Sequence, residues 1–226
     1  MKKSDLSELQ KRLGVNIDAE TFQHALTHSS YSFEHPDEPN NERLEFLGDS
    51  VLSLAIAEEA YRRFPDLAEG ELVKRHHVVV SAWALAQLAR QLEIGPCIRM
   101  GKGEAKSGGA DKDNILADTM EAIFGACYLS AGREAARQLV LRWVGPMLAD
   151  QEILEAGRDW KTDLQVVTQG KKLGSISYAV TADGPDHQRQ YYAIAQVGQR
   201  SFPAAEASSK KEAERLAAKN AYQALT

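Results

Sequence analysis

The hydrophobic periodicity of this chain changes once, near residue 159, and that change limits what it can fold into. Up to about residue 149, apolar residues recur at helical spacing. Leu6, Leu9 and Leu13 mark a first helix and Phe22 and Leu26 begin another. Longer helical patterns follow over 41–63, 71–92 (one helix or two), 113–130 and 134–148. Phe64-Pro65 and Gly95-Pro96 stop two of them. Beyond 159 the pattern differs. Residues 160–169 read as a short helix, and 175–180 and 191–197 alternate polar and apolar as half-buried strands do. Between those strands lies the turn Asp183-Gly184-Pro185-Asp186; residues 199–207 can supply a third strand, and 208–225 form an alanine-rich helix. The expected fold is two domains, an all-α domain over 1–149 and an α+β domain of order αβββα over 159–226. A polar linker over 150–158 containing Gly157 joins them.

Charge divides along the same line. The chain carries a net charge of −5, but residues 159–226 have nine Lys and Arg against seven Asp and Glu, a local balance of +2. The acidic remainder and basic tail fit one part that gathers a cation and another that grips phosphate, although acidic surfaces are common without either. The most apolar stretch, 78–89, falls short of the roughly 20 residues of a membrane span and reads as a buried helix. No apolar segment follows the basic start Met1-Lys2-Lys3, so no signal peptide is read and a cytoplasmic protein with no membrane partner is expected. Cys97 and Cys127 lack zinc-ligand spacing and are expected as reduced thiols.

The densest chemistry lies in Asn41-Glu42-Arg43-Leu44-Glu45-Phe46-Leu47-Gly48-Asp49-Ser50-Val51-Leu52. On a helix Glu42, Glu45 and Asp49 share one face, where like charges repel and weaken the helix. A second acidic pair, Asp118 and Glu121, sits at i, i+3 in the apolar run Ile115-Leu116-Ala117-Asp118-Thr119-Met120-Glu121-Ala122-Ile123, where acids need a partner or a metal. Packed face to face, the two helices would bring four or five carboxylates together, a donor set suited to Mg²⁺, with Mn²⁺ able to substitute. The alternative is that the acids are solvated or paired with Arg43 and Lys112. Phe46 on its own reads equally as an ordinary core aromatic.

Taken with Leu26-Thr27-His28-Ser29-Ser30-Tyr31, Ala117-Asp118-Thr119-Met120-Glu121-Ala122 and Gly103-Glu104-Ala105-Lys106-Ser107-Gly108-Gly109, the 41–52 string resembles the ribonuclease III family over nearly the whole chain. That resemblance implies a metal-dependent endonuclease of double-stranded RNA. It makes Glu45, Asp49, Asp118 and Glu121 the metal-site acids, with Asp49 and Glu121 closest to the chemistry. Glu42 and Glu69 become secondary acids of the cleft. Phe46 becomes a knob docking into a second copy, so a homodimer is implied. Water activated by the metal would attack the phosphate, leaving 5′-phosphate and 3′-hydroxyl ends. Two-fold symmetry would give one site per strand and short 3′ overhangs, and precursors of ribosomal and messenger RNA are the substrates the family implies.

The tail is similar to a double-stranded RNA-binding domain in three places: Lys161-Thr162-Asp163-Leu164-Gln165, Gly184-Pro185-Asp186-His187, and Ser208-Ser209-Lys210-Lys211-Glu212-Ala213. Thr162, Gln165, Pro185 and His187 would reach successive minor grooves, and Ser209, Lys210 and Lys211 the phosphates between them. Ser209 to Glu212 also reads as a capping box, and both roles can coexist. Val166 stands where the family has Glu, and Ala205 and Ala207 where it has Gly, so altered RNA contact is expected. His24 and His28, at i, i+4, and His76-His77 lack a zinc motif and read as core or surface histidines. Residues 101–109 lack the Walker pattern; they read as a connector or a loop near the RNA backbone. Trp83, Trp143 and Trp160 read as packing residues. Two rival readings are a non-cleaving RNA scaffold, which would lack one of the four acids, and a metal-dependent enzyme of pyrophosphate substrates, which would have Asp-rich clusters and no RNA module.

Overall fold

The computed structural model describes residues 3–185 and 188–226, and it divides into two compact units at Arg158/Asp159. In the first unit, α1 (Lys3–Leu13), α2 (Ala19–Ala25) and α3 (Ser29–Glu34) lead into the long α4 (Glu42–Arg63). Then come α5 (Glu69–Val79), α6 (Ala82–Gln91), α7 (Lys102–Lys106), the central α8 (Asp113–Trp143) and α9 (Gln151–Ala156). Short 3₁₀ turns lie at Gly95–Cys97, Gly109–Asp111 and Gly145–Ala149.

The first half of α8 is apolar around most of its circumference, and Met120, Ile123, Phe124 and Cys127 are fully buried. Leu9 and Leu13 of α1, Phe22 and Leu26, Leu52 and Ile56 of α4, and Leu85 and Leu88 of α6 close around it. Both cysteines are free and buried, and burial pushes the Cys127 thiol up.

What positions the site is the crossing of α4 and α8. A Cβ added to Gly48 would stand 1.7 Å from the Glu121 carbonyl oxygen, and one added to Gly125 would stand 2.2 Å from the Leu44 carbonyl oxygen. The helices therefore touch backbone to backbone at two reciprocal glycines. The start of α4 is pinned as well: buried Asn41 donates its amide nitrogen to the Ala25 carbonyl at 3.3 Å and its backbone N–H to the Thr27 carbonyl at 2.9 Å.

Three sequence expectations change. Residues 150–158, read as a linker, hold α9, which Asp150 caps by accepting the Glu152 and Ile153 N–H groups; α9 packs on α5, and a Cβ on Gly157 would stand 2.6 Å from Val78. Within α8 the non-helical Gly132 (φ 86°, ψ 173°) separates the two helices expected at 113–130 and 134–148, and the second ends early, at Trp143. The apolar stretch 78–89 is not one helix: it breaks at Val80–Ser81, where the Ser81 hydroxyl caps α6 by accepting the Ala84 N–H.

The second unit runs α10 (Trp160–Gly170), β1 (Ile176–Asp183), β2 (Gln190–Val197), β3 (Arg200–Ser201), β4 (Ala205–Ala207) and α11 (Lys210–Leu225). The sheet is antiparallel, with β2 pairing β1 along its length and β3 and β4 in turn. The expected third strand is thus two short pieces interrupted by Phe202-Pro203-Ala204, since a proline cannot donate to the ladder. Ala193, Ala195 and Val197 face inward, against Trp160 and Leu164 of α10 and Ala213, Ala217 and Ala221 of α11. His187, expected to contact RNA, and Asp186 of the expected turn lie outside the described residues.

If the α4–α8 crossing requires glycine, Gly48→Ala should cost about 3 kcal/mol in urea unfolding. Gly70→Ala, on α5 with open space around it, should instead stabilise by about 0.5 kcal/mol. Equal, near-zero effects would refute the crossing.

Candidate active site

Across that crossing, Glu45 of α4 and Asp118 and Glu121 of α8 each offer a carboxylate oxygen within 4.8 Å of the others. Glu45 lies one turn N-terminal to Gly48, and Glu121 is the residue whose carbonyl Gly48 touches, so the glycine contact itself brings the acids together. All three carboxylates are half-buried.

The electrostatics are those of a crowded anionic pocket. Burial, with Asp49, Asp118 and Glu45 adding repulsion, pushes Glu121 up to about 8. Glu45 is raised by burial and by Asp118, Glu42 and Asp49. Asp118 is raised by burial and lowered by His28. The expected partner Lys112 instead binds Glu104 at 2.7 Å, and among the described residues Arg43 forms no ion pair with these acids. Crowded, half-buried oxygen donors, with no Lys or Arg ion-paired to them among the described residues, fit a hard divalent metal ion.

The other predicted acids are placed differently. Asp49 is exposed and outside the 4.8 Å trio, but near enough to repel both Glu121 and Glu45. Glu42 is exposed one turn before Glu45, and Glu69 is exposed at the first residue of α5. Phe46 is 78% exposed, which excludes the core-aromatic reading within one chain. Beside it on α4, a cavity of about 240 Å³ is lined by Leu47, Val51, Leu54 and Tyr128. A larger cavity of about 1060 Å³ lies between α1 and α2 and shares no residue with the acids. Gly48 and Gly125 are the positioning residues that sequence reasoning missed. The available signal was glycine inside an apolar helix, which costs about 1 kcal/mol against alanine and calls for a packing reason.

In the second unit Asp159 caps α10 and accepts from the Thr162 hydroxyl at 2.7 Å. Thr162, Gln165 and Val166 are exposed on α10, and Pro185 is exposed after β1. Ser209 caps α11 by accepting the Glu212 N–H at 3.3 Å, while the Glu212 side chain turns to Arg215, so the capping box is made on one side only. Lys210 and Lys211 are exposed at this helix start and form no ion pair among the described residues. Ala205 and Ala207 lie in β4 opposite Ala193 and Tyr191, and the Ala205 methyl is buried in the sheet–helix core.

At neutral pH the Glu121 carboxyl is largely protonated, and a cation can bind it fully only by displacing that proton. The raised value also means that Glu121 contributes stability that is complete below its unfolded value, near 4.5, and lost as pH rises through about 8. Calorimetric Mg²⁺ titration at pH 7 in buffers of different ionisation enthalpy should therefore show proton release, and Glu121→Gln should abolish it. Glu121→Gln should also raise the melting temperature of the metal-free chain at pH 8.5 more than at pH 5. No proton release and no such difference would contradict the reading of Glu121.

Comparison with known proteins gives the family. Residues 18–148 match the family described as Ribonuclease-III-like, and residues 160–225 match the double-stranded RNA binding motif. Ribonuclease 3 of Thermobifida fusca is 46% identical over 98% of this chain and 92% of its own. Ribonuclease 3 of Mycobacterium tuberculosis is 47% identical over 94% of this chain and 90% of its own. Among solved structures, the nuclease domain of ribonuclease III from Campylobacter jejuni superposes with a TM-score of 0.59 at 37% identity, covering 66% of this chain and 99% of that one. With a nuclease-type helical unit, a following RNA-binding motif and near full-length likeness to these enzymes, the chain belongs to the ribonuclease III family.

Proposed function

We propose that the chain hydrolyses double-stranded RNA at the Glu45–Asp118–Glu121 centre, with Mg²⁺ as its cation and Mn²⁺ able to replace it. The observation that carries this reading is the convergence of three carboxylates from two helices within 4.8 Å of one another. A bound divalent cation supplies an activated water and offsets charge on the phosphate. The chain's own residues do the rest. Glu45, Asp118 and Glu121 would hold the ion, and Glu121, whose carboxyl is pushed up to about 8, would have to release its proton to do so. Asp49, exposed at the rim and in electrostatic reach of Glu121, handles protons at its carboxylate during attack. Glu42 and Glu69 shape the anionic edge. Attack by water leaves 5′-phosphate and 3′-hydroxyl ends.

The second unit supplies duplex affinity. Thr162, Gln165, Pro185 and His187 serve the minor grooves, and Ser209, Lys210 and Lys211 the intervening phosphates, a footprint of about 16 base pairs read by shape. Exposed Val166 offers no hydrogen bond there and weakens the α10 contact. The active form is a homodimer in which Phe46 of each copy docks on the other. The nuclease domain of ribonuclease III from Campylobacter jejuni has a structurally flexible region involved in dimer formation. Two sites related by a two-fold axis cut the two strands with short 3′ overhangs. The substrates are precursors of ribosomal and messenger RNA in the cytoplasm; no helix among the described residues is long and apolar enough to cross a membrane.

In the full-length chain, Glu121→Gln or Asp49→Asn should bind a long duplex as the wild type does but cut it at least about 10³-fold more slowly in Mg²⁺. Adding Lys210→Ala and Lys211→Ala should weaken that binding and flatten its salt dependence by about two contacts. A wild-type cutting rate in either acid variant, or no duplex preference in the parent chain, would defeat the reading.

A further inference from the structure

His28 caps α3 through one edge of its ring only. It precedes α3, and its Nδ1 accepts the Ser30 backbone N–H at 3.2 Å and lies 2.8 Å from the Ser30 hydroxyl, which itself accepts the Gly101 N–H at 3.0 Å. A ring nitrogen that accepts a backbone N–H carries no proton, so the proton of the neutral ring sits on Nε2. The charged ring keeps that Nε2–H too, so the donor is present in either state. The backbone around it is fixed: His28 N–H donates to the Arg99 carbonyl at 3.0 Å, Arg99 N–H to Leu26 at 2.7 Å, and Asn41 N–H to Thr27 at 2.9 Å. The last bond ties the segment to the start of α4, one turn before Glu45.

The distal edge of the ring is unused. Histidine is not a favoured N-cap, and capping occupies Nδ1 alone. Among the described residues Nε2 has no hydrogen-bond partner, although the ring interacts electrostatically with Asp118 and with Glu104. A fixed donor beside a metal-site carboxylate, near enough to feel its charge but not bonded to it, leaves a place for an oxygen atom of a third body.

We propose that His28 is a further catalytic residue, whose Nε2–H donates to a non-bridging oxygen of the phosphodiester held at the acid centre. The inference rests on reading that centre as the cleavage site. A donor fixed in advance where charge develops costs no reorganisation during reaction, and losing one such donor typically slows catalysis by about 10²-fold or more.

His28→Asn is the informative variant, because its side-chain oxygen takes the place of Nδ1 and keeps the cap while nothing replaces Nε2–H. The full chain is assayed in Mg²⁺ by single-turnover cleavage of a duplex carrying a stereodefined phosphorothioate at the cut position. His28→Asn should cut the unmodified duplex about 10²-fold more slowly, with melting temperature and duplex affinity in Ca²⁺ unchanged. Sulfur at one of the two non-bridging positions should slow the wild type and add little in the variant. A wild-type rate in His28→Asn, or equal sulfur effects in both proteins, overturns the proposal. A second measurement needs no change at residue 28: in the Glu121→Gln chain labelled with ¹⁵N-histidine, duplex binding in Ca²⁺ should bring out a shifted, exchange-protected Nε2–H resonance. Its absence counts equally against the role. Failure of the wild type to cut any duplex would refute the cleavage-site reading itself, a separate outcome.

Discussion

Two helices of ordinary side chains pack with their axes about 8–10 Å apart. At Gly48 and Gly125, α4 and α8 come closer, each glycine facing a carbonyl of the other helix with no room for a methyl group. The acids stand within one turn of these contacts: Glu45 beside Leu44, Asp49 beside Gly48, and Glu121 at the carbonyl that Gly48 touches. A methylene of separation at the crossing would be transmitted to the gap between the carboxylates, because well-packed interiors do not absorb such a change locally. The dimensions of the anionic pocket thus follow from a steric constraint at residues with no chemistry of their own.

That closeness has an electrostatic cost. Half-buried carboxylates within 4.8 Å of one another lose hydration and repel, which pushes Glu121 up to about 8. The fold tolerates this because α8 is anchored by Met120, Ile123 and Phe124 in the main core, and α4 by Leu52 and Ile56. Opposing apolar burial on the far faces of the two helices holds together what the acids would drive apart. A divalent ion held among these oxygens would relieve that cost, so the arrangement that crowds the carboxylates also favours such an ion.

Much of this was legible in the sequence. The i, i+3 and i+7 spacings placed Glu42, Glu45 and Asp49 on one face of α4 and Asp118 with Glu121 on α8, because helical geometry alone dictates those neighbours. The inward alternation of Ala193, Ala195 and Val197 was equally plain. Long-range facts were not. Nothing local distinguishes Asp49 at the rim from Glu45 in the trio, since that depends on where α8 crosses. His28 read as a core or surface histidine because its partners, Ser30 and the Gly101 segment, meet only in three dimensions. Residues 150–158 read as a linker because a six-residue helix has too little pattern to register, and its docking on α5 comes from tertiary packing. The interruption near Gly132 was legible, because a glycine at positive φ ends one helical stretch before the next begins.

The central claim is that the α4–α8 crossing makes one cation site from Glu45, Asp118 and Glu121. Crystals of the full-length chain grown with Mn²⁺ test it directly through the metal's anomalous scattering. The account predicts a peak bonded by oxygens of all three carboxylates at about 2.0–2.2 Å, with the remaining positions filled by water. A well-ordered protein whose only manganese peaks lie elsewhere, or which holds the ion through one of these acids alone, would contradict it.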